Sequence, residues 1–311
     1  MILSVSRRTD IPAFYSEWFI NRLREGFVLV PNPYNAKQLY RVMLSPDIID
    51  CIVFWTKDAT PIIDKLSYIE ELGYKDYYFE FTITAYDESM ERQLRPKKEV
   101  IDTFRTLSDR IGPRRVDWRF DPIILNSQIT EGLILTRFEE MCKVLAIYTT
   151  KCIISFVDIY KHMSPDLKDL SDEKKEYMAK YLSEIASSYN LCLYACSEEK
   201  DFSSLGINHS ACIDKEKIEN IVGCQLLTRK DAGQRKACDC VESVDIGVYN
   251  TCNNGCVYCY ATKSHKLSER NRLLHNPHSP MLIGTPNGDE IVIPKIGRSF
   301  KNYQYHIRYG D

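Results

Sequence analysis

Cys252, Cys256 and Cys259 lie in the run Cys-Asn-Asn-Gly-Cys-Val-Tyr-Cys, a C-x3-C-x2-C spacing. Three thiolates on one short loop can hold three irons of a cubane cluster and leave the fourth iron open. An open iron can bind and reduce a small molecule, which a fully ligated electron-transfer cluster does not readily do. All three thiolates are needed, because losing one releases or misligates the cluster. Zinc is the alternative for the same thiols, but a structural zinc site takes four ligands, commonly from two C-x2-C knuckles. Cys256-Val-Tyr-Cys259 is one knuckle, and Cys238-Asp-Cys240 is too tight to be the usual second. The expectation is a [4Fe–4S] cluster with one open iron.

The chain has 12 cysteines, nine of them between Cys192 and Cys259. Disulfides are rare in the cytoplasm, so metal binding or redox chemistry is the leading explanation for so many thiols. Cys51, Cys142 and Cys152 lie in apolar surroundings and read as small core residues. Cys196, Cys212, Cys238 and Cys240 form a second set, able to hold an auxiliary, fully ligated [4Fe–4S] cluster. Buried cysteines or zinc are the alternatives. Cys192 alternates with Leu191 and Leu193 and is expected to face the core, while Cys224 could go either way.

Polar residues just past apolar runs form a third set. Arg7, Arg8, Thr9 and Asp10 follow the first run, Arg119 and Asp121 a later one, and Asp158, Lys161 and His162 another. Arginine suits carboxylate and phosphate groups, so Arg7 or Arg119 could hold a cofactor carboxylate or the substrate. A plain Arg119–Asp121 salt bridge is the structural alternative. Trp55 and Trp118 read as packing residues, although Trp55 adjoins the same rim of polar residues. His265, His275, His278 and His306 lack the spacing of a metal site, and Gly233 and Gly255 read as turn formers.

These residues must be positioned by a framework of 311 residues with a net charge of −2. No basic footprint argues for nucleic acid, no apolar run is long enough to span a membrane, and a cytoplasmic location is expected. Strands are expected over 2–6, 27–30, 51–55, 77–84, 115–120, 152–157, 191–195 and 244–249. Helices fit between them: Thr60-Pro61 as a helix start, Thr136-Arg-Phe-Glu139 as a capping box, and Ser164-Pro165 opening a long helix. Roughly eight β/α units predict a parallel sheet closed into a barrel, with the polar residues past the strands lining one face. The barrel is expected over 1–266, with its cysteine-rich region at 192–260. A tail over 267–311 would wrap it, with a short hairpin turning at Thr285-Pro-Asn-Gly288.

The C-x3-C-x2-C run, with Tyr258 just before the last cysteine, resembles the cluster motif of radical S-adenosylmethionine (SAM) enzymes. That resemblance implies that SAM chelates the open iron and is cleaved reductively to start radical chemistry on a substrate. It also implies an electron donor such as flavodoxin or ferredoxin. Arg7-Arg8-Thr9-Asp10-Ile11-Pro12, Phe54-Trp55-Thr56-Lys57, Asp121-Pro122 and Asp245-Ile246-Gly247-Val248-Tyr249-Asn250-Thr251 together resemble the bacterial family catalogued as domain of unknown function 1848. So do Cys238-Asp-Cys240 and Ala211-Cys212-Ile213-Asp214, which implies that these cysteines act together.

Radical SAM enzymes usually carry the motif near the start of their barrel, so its late position here implies a circular permutation. The Gly-Gly-Glu-like segment that holds the SAM amino group in those enzymes is replaced by Ser6-Arg-Arg-Thr-Asp10. By position, Arg8, Thr9 and Tyr258 are the candidates for cofactor contact, and Arg7, Asp10, Arg119 and Asp121 for catalysis. Three rival functions stand beside this one, one of them a zinc-stabilised binding module. The cysteine run is also similar to that of spore photoproduct lyase, a DNA-repair enzyme, and a non-catalytic iron–sulfur sensor or electron carrier would need the same thiols.

Overall fold

The computed structural model describes residues 1–303. Eight strands form one all-parallel sheet: β1 (Ile2–Val5), β2 (Cys51–Thr56), β3 (Tyr77–Thr82), β4 (Val116–Ile123), β5 (Lys151–Phe156), β6 (Cys192–Cys196), β7 (Asn208–Ser210) and β8 (Val244–Asp245). Their order across the sheet is β8-β1-β2-β3-β4-β5-β6-β7. Chain order is kept except that the last strand lies beside the first. Leu3 and Ser4 of β1 pair with Val244 and Asp245 on one side, and Ile2 pairs with Cys51 on the other. Among the described residues no ladder joins β7 to β8.

Both faces of the sheet are covered, which is why its strands read as continuous apolar runs. Alternation along each strand separates two cores. Leu3, Ile52, Phe54, Tyr77 and Phe79 point to the large core, which also takes residues of the flanking helices Lys97–Ile111, Glu131–Leu145 and Asp172–Ser188. Ile2, Cys51, Val53, Tyr78 and Ile153 point to the other side, where they meet Cys196, Cys212, Cys238 and Cys240. Strand alternation therefore delivers Cys196 to this side, where Cys212, Cys238 and Cys240 join it from loops.

Several local expectations are corrected. The run 27–30 belongs to a separate three-stranded sheet, in which Phe27–Asn32 pairs antiparallel with Asn35–Met43. The eighth strand of the main sheet is instead β7, whose sequence Asn-His-Ser carries no hydrophobic signal and which lies at the edge beside β6. Thr60 is the first residue of a helix rather than its cap, and Asp58 Oδ1 accepts its N–H at 3.0 Å. Thr136 lies inside a helix that Thr130 caps, and Ser171, not Ser164, opens the long helix. A Ser/Thr side chain caps only where extended backbone turns helical, and the short pattern recurs inside helices without that turn.

The tail forms no hairpin at Thr285–Gly288. It makes a helix, His265–Leu273, and a strand, Ile291–Lys295, that adds parallel to Asn35–Met43. Lys301–Asn302 then pairs with Gln225–Leu226. Among the described residues no helix is long and apolar enough to cross a membrane.

Phe54 shows how tightly the larger core is built. It is fully buried, stacks on Phe79 at 4.6 Å and meets Phe19 edge-on at 5.6 Å. Phe54→Ala is expected to cost about 3–5 kcal/mol, read as a lower urea midpoint with an unchanged slope.

Candidate functional site

The cysteine loop follows β8 and is stitched to the segment 90–93 through backbone. Gln93 N–H donates to Asn254 O at 3.1 Å, Val257 N–H to Met90 O at 3.0 Å, and Glu91 bridges Cys256. Gly255 makes this approach possible. Its φ is +71°, and a Cβ there would lie 3.1 Å from Arg92 Cβ and 3.2 Å from Gln93 N. Elsewhere on the loop, Tyr15 Oη donates to Thr251 O at 2.6 Å and Ser268 Oγ to Cys252 O at 2.7 Å.

The three thiols lie within electrostatic reach of one another. Burial, then Asp10 and the other two cysteines, push the Cys252 thiol well up. Burial pushes Cys256 up to about 12, with Lys57 opposing. Thr262 N–H donates to Cys259 Sγ at 3.3 Å, as backbone amides do to ligating sulfur. Three buried polar atoms in or near the loop, Thr9 Oγ1, Asn253 Nδ2 and Thr262 Oγ1, have no partner. The all-sulfur donor set and these orphaned groups fit an iron–sulfur cluster with a small polar ligand beside it.

The two carboxylates closest to the trio in charge are fully engaged. Asp10 accepts from Ala13 N–H, Thr56 Oγ1, Lys57 N–H and Asn254 Nδ2 at 2.8–3.1 Å. Burial pushes it up to about 6, against all four donors. Glu91 accepts from Lys57 Nζ and Lys97 Nζ, each at 2.7 Å, from Thr84 Oγ1 at 2.8 Å and from Tyr258 Oη. Burial acts against its charge, but the two ammonium groups hold Glu91 down to about 2. Tyr258 is thus a positioning residue, tied by its hydroxyl to a buried ion network. Lys57 and Glu91 were not singled out as site residues, because nothing in sequence joins positions 34 apart.

Cys196, Cys212, Cys238 and Cys240 are all buried and share one wall of a cavity of about 920 Å³. The Cys196 and Cys212 sulfurs are 3.0 Å apart, and Arg119 Nη1 donates to Cys212 Sγ at 2.8 Å. Hydrogen bonds from Cys196 and Cys240 pull Cys212 well down despite burial, with Arg119 and Arg7 adding to the effect. Cys240 likewise pulls Cys238 down to about 6. No group of three or more His, Cys, Asp or Glu among the described residues is arranged around a single metal ion. The 3.0 Å between the Cys196 and Cys212 sulfurs is closer than two thiolates stand on one tetrahedral zinc, about 3.8 Å, and closer still than on two irons of a cubane, so it selects neither group. Four thiols against a guanidinium fit an anionic thiolate cluster in donor chemistry.

Arg119 is wholly committed. It forks onto Asp121 at 3.0 and 2.5 Å and reaches Glu80 at 2.9 Å, so the salt bridge weighed as the structural alternative is present. Arg7 makes no such bond. Its guanidinium carbon lies 5.2 Å from the Trp55 ring centroid, and that of Arg119 lies 5.5 Å away. Trp55 is therefore a cavity residue rather than packing, whereas Trp118 is fully buried in the core. Arg8 stands over Tyr249 and 4.0 Å from Asp245. Asp245 accepts from Ser4 Oγ, Ser6 Oγ and the N–H groups of Arg7 and Gly247, tying the ends of β1 and β8 together.

Asp158, Lys161 and His162 reach the same cavity, and His162 Nε2 is 2.8 Å from Cys259 O. The sulfurs of the trio do not line it, although Tyr260 from their loop does. Cys192 is exposed, contrary to expectation, because Leu191 and Leu193 take the buried positions on either side. Cys224 is half-buried. His306 lies outside the described residues.

A family model described as Domain of unknown function (DUF1848) matches residues 2–261. No curated protein matches. Among solved structures, a provisionally assigned alpha-L-fucosidase from Bacteroides thetaiotaomicron VPI-5482 matches at 10% identity and a TM-score of 0.27. That match covers 71% of this chain and 83% of that one, and at so low a score it carries no argument.

Glu91→Gln leaves two half-buried ammonium groups facing a neutral amide, and is expected to cost about 3 kcal/mol. The pH dependence follows from the sign of the shift. Glu91 is held below its ordinary 4.5, so its contribution is complete above that pH and fades as pH falls toward about 2. Urea titrations from neutral to acid pH should show the gap between wild type and Glu91→Gln narrowing over that window.

Proposed function

The chain belongs to the family described as Domain of unknown function (DUF1848), and we propose that it is a radical SAM enzyme. In this reading Cys252, Cys256 and Cys259 hold a [4Fe–4S] cluster with one open iron. Cys196, Cys212, Cys238 and Cys240 hold an auxiliary cluster, and a flavodoxin or ferredoxin supplies electrons. With SAM bound, the first cluster supplies reductive cleavage of the sulfonium bond. The chain's own residues hold the loop in place, neutralise charge and wall the cavity from water.

One observation carries this reading. The carboxylates nearest the trio, Asp10 and Glu91, are each saturated by four donors. Asp10 takes two donors on each oxygen, and Glu91 takes three on Oε1 and an ammonium on Oε2, so both carboxylates are already engaged within the protein, and an uncapped corner is what distinguishes a SAM-cleaving cluster from an electron carrier. The strand order supports a permuted barrel in the same reading. β8, which feeds the cysteine loop, lies where a first strand belongs, and β1 follows as the second.

The test is anaerobic reconstitution with iron and sulfide, then incubation with SAM and dithionite. Wild type is expected to yield methionine and 5′-deoxyadenosine, and Cys256→Ala neither. Iron content should be about eight per chain in wild type and about four in a Cys238→Ala/Cys240→Ala variant. A stoichiometric zinc content with no SAM cleavage would sink the proposal.

A further inference from the structure

The charges lining the large cavity narrow the substrate class, an inference that rests on the enzymatic reading above. Every carboxylate on the cavity wall already has a cation. Asp121 pairs with Arg119 at 2.5 Å, Asp158 with Arg235, and Glu198 with Lys175 at 3.5 Å. Three cations on the same wall, Arg7, Lys161 and Lys263, have no ion-pair partner among the described residues. Apart from the thiols of Cys196, Cys212, Cys238 and Cys240 on the same wall, these three cations face no acid group of the cavity that is not already paired.

Arg7 is the deepest of the three. Its Nη2 is buried and has no hydrogen-bond partner among the described residues. A buried donor left unpaired is costly, and an incoming oxyanion removes that cost. The residue is also held in position. Its N–H donates to Asp245 at 2.9 Å, its carbonyl accepts from Tyr260 Oη, and its guanidinium rests near Trp55. A planar guanidinium fixed in advance matches carboxylate or phosphate with little further ordering. Around it the wall is aromatic: the Tyr160 and Tyr260 rings are 6.2 Å apart and tilted by 34°. Arg7 lines the same cavity as Cys196, Cys212, Cys238 and Cys240, which places it on the side of the second cysteine set and not of the trio, whose sulfurs do not line it.

We propose that the substrate is a small organic anion, a carboxylate or phosphate borne on an aromatic or other planar group, whose oxyanion docks on Arg7. Lys161 and Lys263 at the exposed rim attract it, and the tyrosine wall takes its apolar part.

The test is isothermal titration of the anaerobically reconstituted full chain, without SAM or reductant. The probes are phenyl phosphate, benzoate and the neutral benzyl alcohol. At least one of the two anions is expected to saturate and to bind tenfold or more tightly than the alcohol; which of them does so separates phosphate from carboxylate. Arg7→Met should weaken that anion by roughly tenfold to a hundredfold, with Arg7→Lys intermediate. Should Arg7→Met fail to fold by circular dichroism, Lys263→Glu on the exposed rim serves in its place. It should weaken the anion several-fold and leave the alcohol unchanged.

The proposal is overturned if neither anion saturates, if benzyl alcohol binds as tightly, or if Arg7→Met folds and leaves the affinity unchanged. It is also overturned if SAM displaces the probe competitively, which would make Arg7 a cofactor residue. A single-stranded oligonucleotide that binds more tightly, with steep salt dependence, would move the assignment to nucleic acid. SAM cleavage plays no part in these titrations, so loss of the radical reading and loss of the anion site are separate results.

Discussion

A carboxylate taken out of water must have its charge compensated where it lies, and Glu91 does this with two lysines from different parts of the chain. Lys57 follows the end of β2 and Lys97 opens the helix Lys97–Ile111. Tyr258 brings the cysteine loop into the same cluster. The backbone around Glu91 also bridges Cys256 and pairs with Asn254. One buried charge thus fixes a strand end, a helix start and the loop that carries the three thiols. Breaking such a network is far more costly than any single surface pair, because each remaining charge would be left buried and unpaired.

The inner face of the sheet applies the same constraint to Arg119. Its partners Glu80, Asp121 and Cys212 come from β3, its own strand and the loop after β7. Glu80 and Asp117 are register partners on adjacent strands, and each keeps one buried oxygen without a partner. A guanidinium this committed cannot turn toward a ligand without stranding a carboxylate. The two arginines that sequence offered as equivalent anion holders therefore differ in kind, and Arg7 is the one with capacity left. Trp55 links them, since both guanidiniums rest near its ring while its Nε1 donates to Ser4 Oγ at 3.1 Å.

Much of this was legible from residue types. Continuous apolar runs ending in polar residues located seven of the eight strands of the parallel sheet, because strands covered on both faces leave that trace. β7 left none: its three residues are polar and it is held by pairing to β6, so hydrophobicity could not reveal it. The run 27–30 looks the same as a sheet strand in sequence but pairs locally with Asn35–Met43. Cysteine spacing singled out both thiol sets, and the family resemblance joined Cys212 to Cys238 and Cys240. Sequence could not show which polar neighbours were already satisfied. Asp10 and Arg119 stood out as candidate catalytic residues, yet each is held by partners that only the fold assembles.

The two thiol sets solve the cost of buried negative charge differently. Around Cys252 and Cys256 burial dominates, and the one cation acting on Cys256, Lys57, is already matched by Glu91. A thiolate there needs a metal cation to be stable, since coordination deprotonates a thiol outright. The second set has its own cation. Arg119 lies against Cys212, and that sulfur also receives hydrogen bonds from two neighbouring thiols, so its thiolate is favoured by the protein alone. The first loop is therefore held geometrically, by Gly255, Asn254 and Tyr258, while its charge is left to whatever it binds. The second is held electrostatically as well.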